Sequence, residues 1–253
     1  MCKNISRCDV DVSNEWIKKI INNTSRRGDS ILIKALFLDF YGTIVHEDGA
    51  VIKIVNQKIF DTGIVENKLE IGAFWWNEFQ KMCRNSHGEN FQTQRAIEYH
   101  SLVNTLNNFN SSEDAVELSD LMFEQWMKPP IFEESKEFFE KSILPIYIVS
   151  NIDKDDISKA IEYHGLKPTD VFTSEDAKAY KPRKELFELA LKSTGLSAKE
   201  VVHIGDSMSS DIKGASELGI ETIWVNRTNK NTAENVITVS NLLDIYKTKL
   251  FCD

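Results

Sequence analysis

The feature that most restricts this chain is a series of short apolar runs, each ended by polar residues and followed by a helix-length stretch. The first run is IKALFLDF at residues 33–40, stopped by Tyr41-Gly42-Thr43. A run this short and apolar suits a strand buried on both faces that enters a tight turn. After Pro129-Pro130 the pattern resumes. The spacing predicts a helix over 133–141, a strand over 146–149, a helix over 154–164 and a strand over 171–173. A helix over 184–193, a strand over 201–204, a helix over 210–218 and a strand over 221–225 follow, with a weak last strand over 236–239. Strands alternating with helices at short spacing call for right-handed crossovers and a mostly parallel sheet covered on both faces. The expected class is α/β, a doubly wound, Rossmann-like core.

Residues 46–128 break this rhythm. Their periodicity is helical and rich in aromatics (Phe74, Trp75, Trp76, Phe79, Phe91, Trp126), and no stretch reads as a strand. The block interrupts the core directly after its first strand, so it reads as an inserted all-helical cap, with the core made of 31–45 and 129–253. Residues 1–30 are polar, with a helix-like stretch at 14–22, and read as an N-terminal arm.

Composition excludes several classes. The 253 residues, 42% of them hydrophobic, can build a real core, and 30 Lys+Arg against 39 Asp+Glu give a formal charge of −9. Without a basic field, nucleic acid is not an expected partner. No apolar run approaches the roughly 20 residues that cross a bilayer, and the opening MCKNISRCDVDVS lacks the apolar stretch of a signal peptide. The expectation is a soluble cytoplasmic protein. Cys2, Cys8, Cys83 and Cys252 form no C-x-x-C pair and read as reduced thiols rather than zinc ligands.

In an open parallel sheet the ligand sits beyond the carboxyl ends of the strands, where the strand order switches. Those ends carry Asp39-Phe40-Tyr41-Gly42-Thr43, Ser150-Asn151 and Gly205-Asp206, with Asp211 five residues further on, and the loop after the third strand carries Tyr180-Lys181-Pro182. Three carboxylates, hydroxyls and a lysine are thereby expected in one crevice. A carboxylate such as Asp39 can attack a phosphoryl or carbon centre and form an ester that water later hydrolyses. Attack on an anionic phosphoryl group needs its charge offset, which Mg²⁺ held by Asp206 and Asp211 would do.

The order D-x-x-G-T, Ser after a strand, Lys-Pro and G-D-x-x-x-x-D resembles the haloacid dehalogenase (HAD) superfamily, helical-cap (C1) subfamily I, from about residue 34 to 226. The resemblance implies an Mg²⁺-dependent hydrolase acting on a small phosphorylated metabolite through an aspartyl-phosphate. It implies Asp39 as nucleophile and metal ligand, the backbone carbonyl of Tyr41 with Asp206 and Asp211 as further ligands, and Thr43, Ser150, Asn151 and Lys181 as contacts of the transferring group.

One departure from the family pattern matters. The phosphatases of the superfamily carry a second aspartate two residues after the nucleophile, which protonates the leaving group; here it is Tyr41. A phenol with an ordinary pKa of about 10 is a poor base at neutral pH. The 2-haloacid dehalogenases resemble D-x-Y-G-T instead, since halide leaves without a proton, but they use no metal and place an arginine beside a cap tryptophan. Here Asn77 and Glu78 follow Trp75-Trp76, and the nearest cap arginines are Arg84 and Arg95. A phosphonoacetaldehyde hydrolase-like enzyme would need a Schiff-base lysine in the cap, for which Lys53, Lys58, Lys68 and Lys81 are available. A binding protein that lost catalysis is the rival from another class. His46, Glu47 and Asp48, close to the first motif, are candidates to replace the missing acid. By contrast, His203 reads as a core histidine, Asp153, Asp155 and Asp156 as a solvated helix start, and the Phe74–Phe79 aromatics as cap core.

Overall fold

A computed structural model describes residues 32–231, 235–248 and 250–251. The helix expected over 14–22, together with Cys2, Cys8 and Cys252, lies outside the described residues.

Six strands form one sheet: β1 (Ala35–Leu38), β2 (Ile146–Ser150), β3 (Asp170–Thr173), β4 (Val201–Gly205), β5 (Glu221–Val225) and β6 (Ile237–Val239). Their order is β3-β2-β1-β4-β5-β6, and every neighbouring pair is parallel. β1 and β4 are buried along their whole length, as expected of central strands covered on both faces. Connections from β1 run outward through β2 to β3 on one side, and those from β4 through β5 to β6 on the other. The order therefore reverses between β1 and β4, and the crevice at their carboxyl ends is the ligand position of such sheets.

Four helices stand between β1 and the rest of the core: α1 (Gly49–Thr62), α2 (Lys68–Asn85), α3 (Gln94–Asn108) and α4 (Ala115–Met127), with one 3₁₀ turn at Gly88–Asn90. The starts of α2, α3 and α4 are set by short polar side chains. Asn67 accepts from the Leu69 amide, Thr93 from that of Ala96, and Asp114 from those of Val116 and Glu117. The insertion is thus all-helical, as its periodicity required. The core helices are α5 (Glu133–Lys141), α6 (Lys154–His164) and α7 (Lys184–Thr194).

The structure corrects the sequence in two places. The helix expected over 210–218 is instead a π-helical segment, Met208–Lys213, that passes into a single turn at Gly214–Ser216. The backbone there is held by Asp211, which bends back onto the Ser207 amide. The acidic start of α6 is only partly solvated: Asp155 is exposed, but Asp156 is fully buried and Asp153 nearly so. Asp153 accepts from the backbone N–H groups of Gln94 and Arg95 at 2.7 and 2.9 Å, satisfying the open first turn of α3. The Arg95 guanidinium returns a two-pronged bond to Asp156 and lies 4.3 Å over the Phe123 ring. These contacts fasten the helical insertion to the core.

Candidate active site

β1 delivers Asp39 straight from a buried strand, its amide still bonded to the Ile204 carbonyl of β4 at 2.9 Å. The chain then turns through Gly42 at φ +86°, where a Cβ would stand 2.5 Å from Asp206 Oδ2. Only glycine gives both the left-handed backbone and the clearance. Gly205 plays the second clearance role, since a Cβ there would collide with the Asp211 carboxylate. The two glycines let three acidic side chains converge: one carboxylate oxygen from each of Asp39, Asp206 and Asp211 lies within 4.8 Å of the others.

Lys181 is the cation at the centre. Its Nζ donates to Asp39 Oδ1 at 2.7 Å, to Asp211 Oδ1 at 2.6 Å and to the Val149 carbonyl at 2.8 Å, filling all three of its N–H positions. Burial works against the ammonium, but Asp211 and Asp39 hold its pKa above the ordinary lysine value. For Asp211, burial is outweighed by Lys181 and His203, which drive its pKa below the ordinary carboxylate range. Burial pushes Asp39 up to about 6 against the pull of Lys181, with Asp211 adding repulsion. Asp206 is pushed up to about 8 by burial and then by Asp39 and Asp211. Its firmest side-chain contact is long, Thr43 Oγ1 at 3.5 Å. Hard oxygen donors that crowd and repel one another suit a small divalent cation.

The remaining predicted residues divide. Ser150 ends β2 and lines the crevice. Asn151 also lines it, but its amide is committed to the lysine loop: Nδ2 donates to the Lys181 carbonyl at 3.0 Å and Oδ1 accepts from the Lys181 amide at 2.6 Å. These two bonds hold the backbone of Lys181 in place. Thr43 is fully buried and is not among the lining residues; Arg227 Nη2 holds its carbonyl at 2.6 Å. Tyr41 lines the crevice and donates its hydroxyl to the Trp126 carbonyl at 2.6 Å. Burial, then Asp48, Asp156 and Asp39, raise its pKa well above the ordinary value, so the phenol keeps its proton.

Of the three hinge residues, His46 is exposed and its ring packs 3.9 Å from that of Phe132, away from the crevice. Glu47 and Asp48 line the crevice. Asp48 accepts from Trp126 Nε1 at 2.9 Å, its Oδ1 is buried without a partner, and burial pushes its pKa up to about 6. Sequence reasoning treated His203 as a core residue; it is fully buried, yet its Nε2 lies 3.0 Å from Asp211 Oδ1 and orients that carboxylate. Its place on β4 directly below Gly205-Asp206 was the available signal. Glu98 was missed altogether. It lies on the buried stripe of α3 with Ser101, Leu102 and Thr105, a charge at a core position of the helical period, and it reaches the crevice.

The crevice has a volume of about 480 Å³ and is roofed by Trp75, Trp76, Phe79 and Trp126. Arg95 is spent on Asp156 and does not line the crevice, and Lys181 is the only lysine or arginine among the described lining residues.

A doubly wound sheet with a helical insertion after β1 and this acid–lysine cluster at its switch point defines a class, and comparison names it. Residues 33–219 match the family of haloacid dehalogenase-like hydrolases. The chain belongs to that family. It is 36% identical over 95 residues to the HAD-hydrolase YfnB of Bacillus subtilis, covering 36% of this chain and 40% of the relative. A glyceraldehyde 3-phosphate phosphatase of Methanocaldococcus jannaschii is 46% identical over 56 residues, 22% of this chain and 25% of that protein. The chain thus spans under half the length of either relative. A magnesium-bound crystal structure of YfnB superposes with a TM-score of 0.68 at 21% identity, covering 85% of this chain and 98% of that one. The L-2-haloacid dehalogenase of Xanthobacter autotrophicus does so with a TM-score of 0.68 at 17% identity, with the same coverage. At these identities the structural likeness speaks for the fold.

Proposed function

We propose that the protein is a magnesium-dependent phosphatase acting on a small phosphorylated metabolite through an aspartyl-phosphate on Asp39. The observation that carries this reading is the convergence of Asp39, Asp206 and Asp211 within 4.8 Å around Lys181. The phosphatase name of a relative agrees with it. Asp39, Asp206, Asp211 and the backbone carbonyl of Tyr41 would hold the ion, which neutralises the charge of the phosphoryl group.

Lys181 fixes Asp39 through Oδ1, and Oδ2 attacks phosphorus. The P–O bond to the leaving group breaks and its electron pair stays on oxygen. Ser150 donates to a phosphoryl oxygen at the mouth of β2. The departing alkoxide needs a proton that Tyr41 cannot give, and Asp48 supplies it from the hinge of the insertion. Held near pKa 6 by burial, Asp48 is protonated in part of the population at neutral pH and can take the proton back from water in the second step. That water attacks the phosphoryl-aspartate, releases phosphate and restores Asp39. The aromatic roof keeps bulk water from the ester meanwhile.

Dehalogenation is the rival that Tyr41 brings. It is disfavoured by the lining: a 2-haloacid carries a carboxylate, and beyond Lys181 the described crevice offers no lysine or arginine to receive it. The deciding experiment is release of phosphate and of halide from mixed substrate panels, each with Mg²⁺ and with EDTA. Phosphate release that needs Mg²⁺ and disappears in Asp39→Asn is expected. Halide release indifferent to EDTA would replace the reading, and binding of phosphate esters without turnover would favour a binding protein. Asp48→Asn should lower kcat by about 10²–10⁴-fold for alkyl phosphates and remove the limb of the pH profile near 6.

A further inference from the structure

The end of the crevice formed by the helical insertion holds a group that the chemistry at Asp39 does not use. Glu98 on α3 is 3% exposed, lines the crevice, and its carboxyl makes no hydrogen bond with any described residue; Oε1 is wholly shielded from solvent. Buried carboxyls are normally bonded or paired, because an unpaired one carries its full desolvation cost. Nothing in the helix demands it there. Trp75 Nε1 donates to Ser101 Oγ at 3.1 Å and Ser101 Oγ to the Glu98 carbonyl at 2.8 Å, so the backbone beneath the carboxyl is well braced while the carboxyl is left bare.

Its surroundings are acidic rather than compensating. Asp48, whose Oδ1 is likewise buried and unpartnered, makes the potential at Glu98 more negative, and Glu47 also lines the crevice. Lys181, the only basic lining residue described, is spent on Asp39 and Asp211. The rings of Trp75 and Trp126 complete this end, surfaces that a cation can lie against. A second phosphate or a carboxylate on the substrate would find no basic group at this end, only the carboxyls of Glu47, Asp48 and Glu98.

We infer that this end of the crevice is a subsite for a protonated amine, with the ammonium of a phosphorylated amine bonding to Glu98 while its phosphoryl group meets Asp39. Rested on the phosphatase reading, this gives that reading a substrate class: small phosphate monoesters whose leaving group bears an ammonium. The division of labour is consistent, with Asp48 at the leaving oxygen and Glu98 at the nitrogen. An ammonium brings several N–H donors and one charge, and it satisfies Glu98 as a charge-assisted bond that a hydroxyl cannot match.

The test compares 2-aminoethyl phosphate with 2-hydroxyethyl phosphate and 2-carboxyethyl phosphate, isosteric except at the distal group. It uses kcat/KM on the wild-type protein with Mg²⁺, and calorimetric binding to Asp39→Asn, which reports affinity without turnover. The expected order is ammonium over hydroxyl by about tenfold or more and hydroxyl over carboxylate, carried by KM rather than kcat. In Glu98→Gln the ammonium-to-hydroxyl ratio should fall towards one, and in Glu98→Asp it should lie between; the latter keeps the reading available if the glutamine variant does not fold. Equal use of the amine and the alcohol by the wild type would overturn the subsite while leaving the phosphatase reading intact. A binding preference for the amine with no turnover of any ester would do the reverse.

Discussion

Asp211 and Glu98, buried acids at the two ends of the crevice, are treated in opposite ways. On the sheet side, Asp211 is held by Lys181, His203 and the Ser207 amide, and its pKa lies below the ordinary carboxylate value. On the side of the helical insertion, the Glu98 carboxyl has no hydrogen bond with any described residue, and burial, then Asp48, raise its pKa to about 8. The same residue class at similar depth is preorganised in one place and left uncompensated in the other. Compensation within the protein marks a carboxylate already held in place; its absence marks a place where a ligand supplies the partner.

The comparison breaks first at Lys181. Lys181→Met would leave Asp39 and Asp211 buried beside each other without their cation, and removal of one partner of a buried pair costs about 3–5 kcal/mol. Thermal unfolding should show that loss together with abolished turnover. A variant as stable as the wild type would mean that the sheet side is no more compensated than the other. Gly42→Ala attacks the same side by geometry. A side chain at φ +86° that also stands 2.5 Å from Asp206 should cost about 1–3 kcal/mol and weaken Mg²⁺ binding in a calorimetric titration at least tenfold. Unaltered affinity would take Asp206 out of the metal set.

Much of the sheet side was legible in the sequence, because its chemistry rides on strand ends and strand ends are marked by apolar runs. Asp39, Ser150, Asp206 and the lysine loop fell where the alternation of strands and helices put them. Lys181 was found by its Pro182 neighbour and its loop, although the sequence could not show that one ammonium serves two carboxylates. The rest depends on contacts between distant segments. Asn151 looked like a substrate contact because it follows Ser150, yet both ends of its amide clasp the backbone of Lys181. Asp153 and Asp156 looked solvated because acids usually begin helices in water. Their burial comes from α3, whose open N-terminus and Arg95 arrive from a stretch roughly sixty residues earlier in the chain. Glu98 could have been noticed from the helical period alone, as an acid on the stripe of Ser101, Leu102 and Thr105, but its empty surroundings are a property of the assembled crevice.

On the insertion side the predicted effects are smaller and of opposite sign. Glu98 has a folded pKa of about 8 against an ordinary value of 4.5. A raised carboxyl holds its proton longer in the folded state, so its contribution to stability falls as pH rises from about 4.5 to about 8 and is constant above that. Glu98→Gln removes the titration. It should raise Tm at pH 8–9 by about 2–4 °C or more and change it little near pH 4.5. A drop at pH 8–9 would show that Glu98 has a partner after all. The smallest change is at Trp126, whose indole N–H lowers the pKa of Asp48. Trp126→Phe deletes that donor, and the limb of the kcat profile that Asp48 sets should move upward from about 6 by up to about one unit. An unmoved limb would assign it to another group.

The central claim, that Asp39 is the nucleophile of a phosphoryl transfer, is tested most directly by acid quench of the enzyme during turnover with Mg²⁺ and a small phosphate ester, followed by peptide mass spectrometry. The account predicts one added phosphoryl group on the peptide that contains Asp39, absent in Asp39→Asn and absent when EDTA replaces Mg²⁺. Phosphate release with an unmodified Asp39 peptide under conditions that trap acyl phosphates, or a phosphoryl group on any other residue, would contradict it.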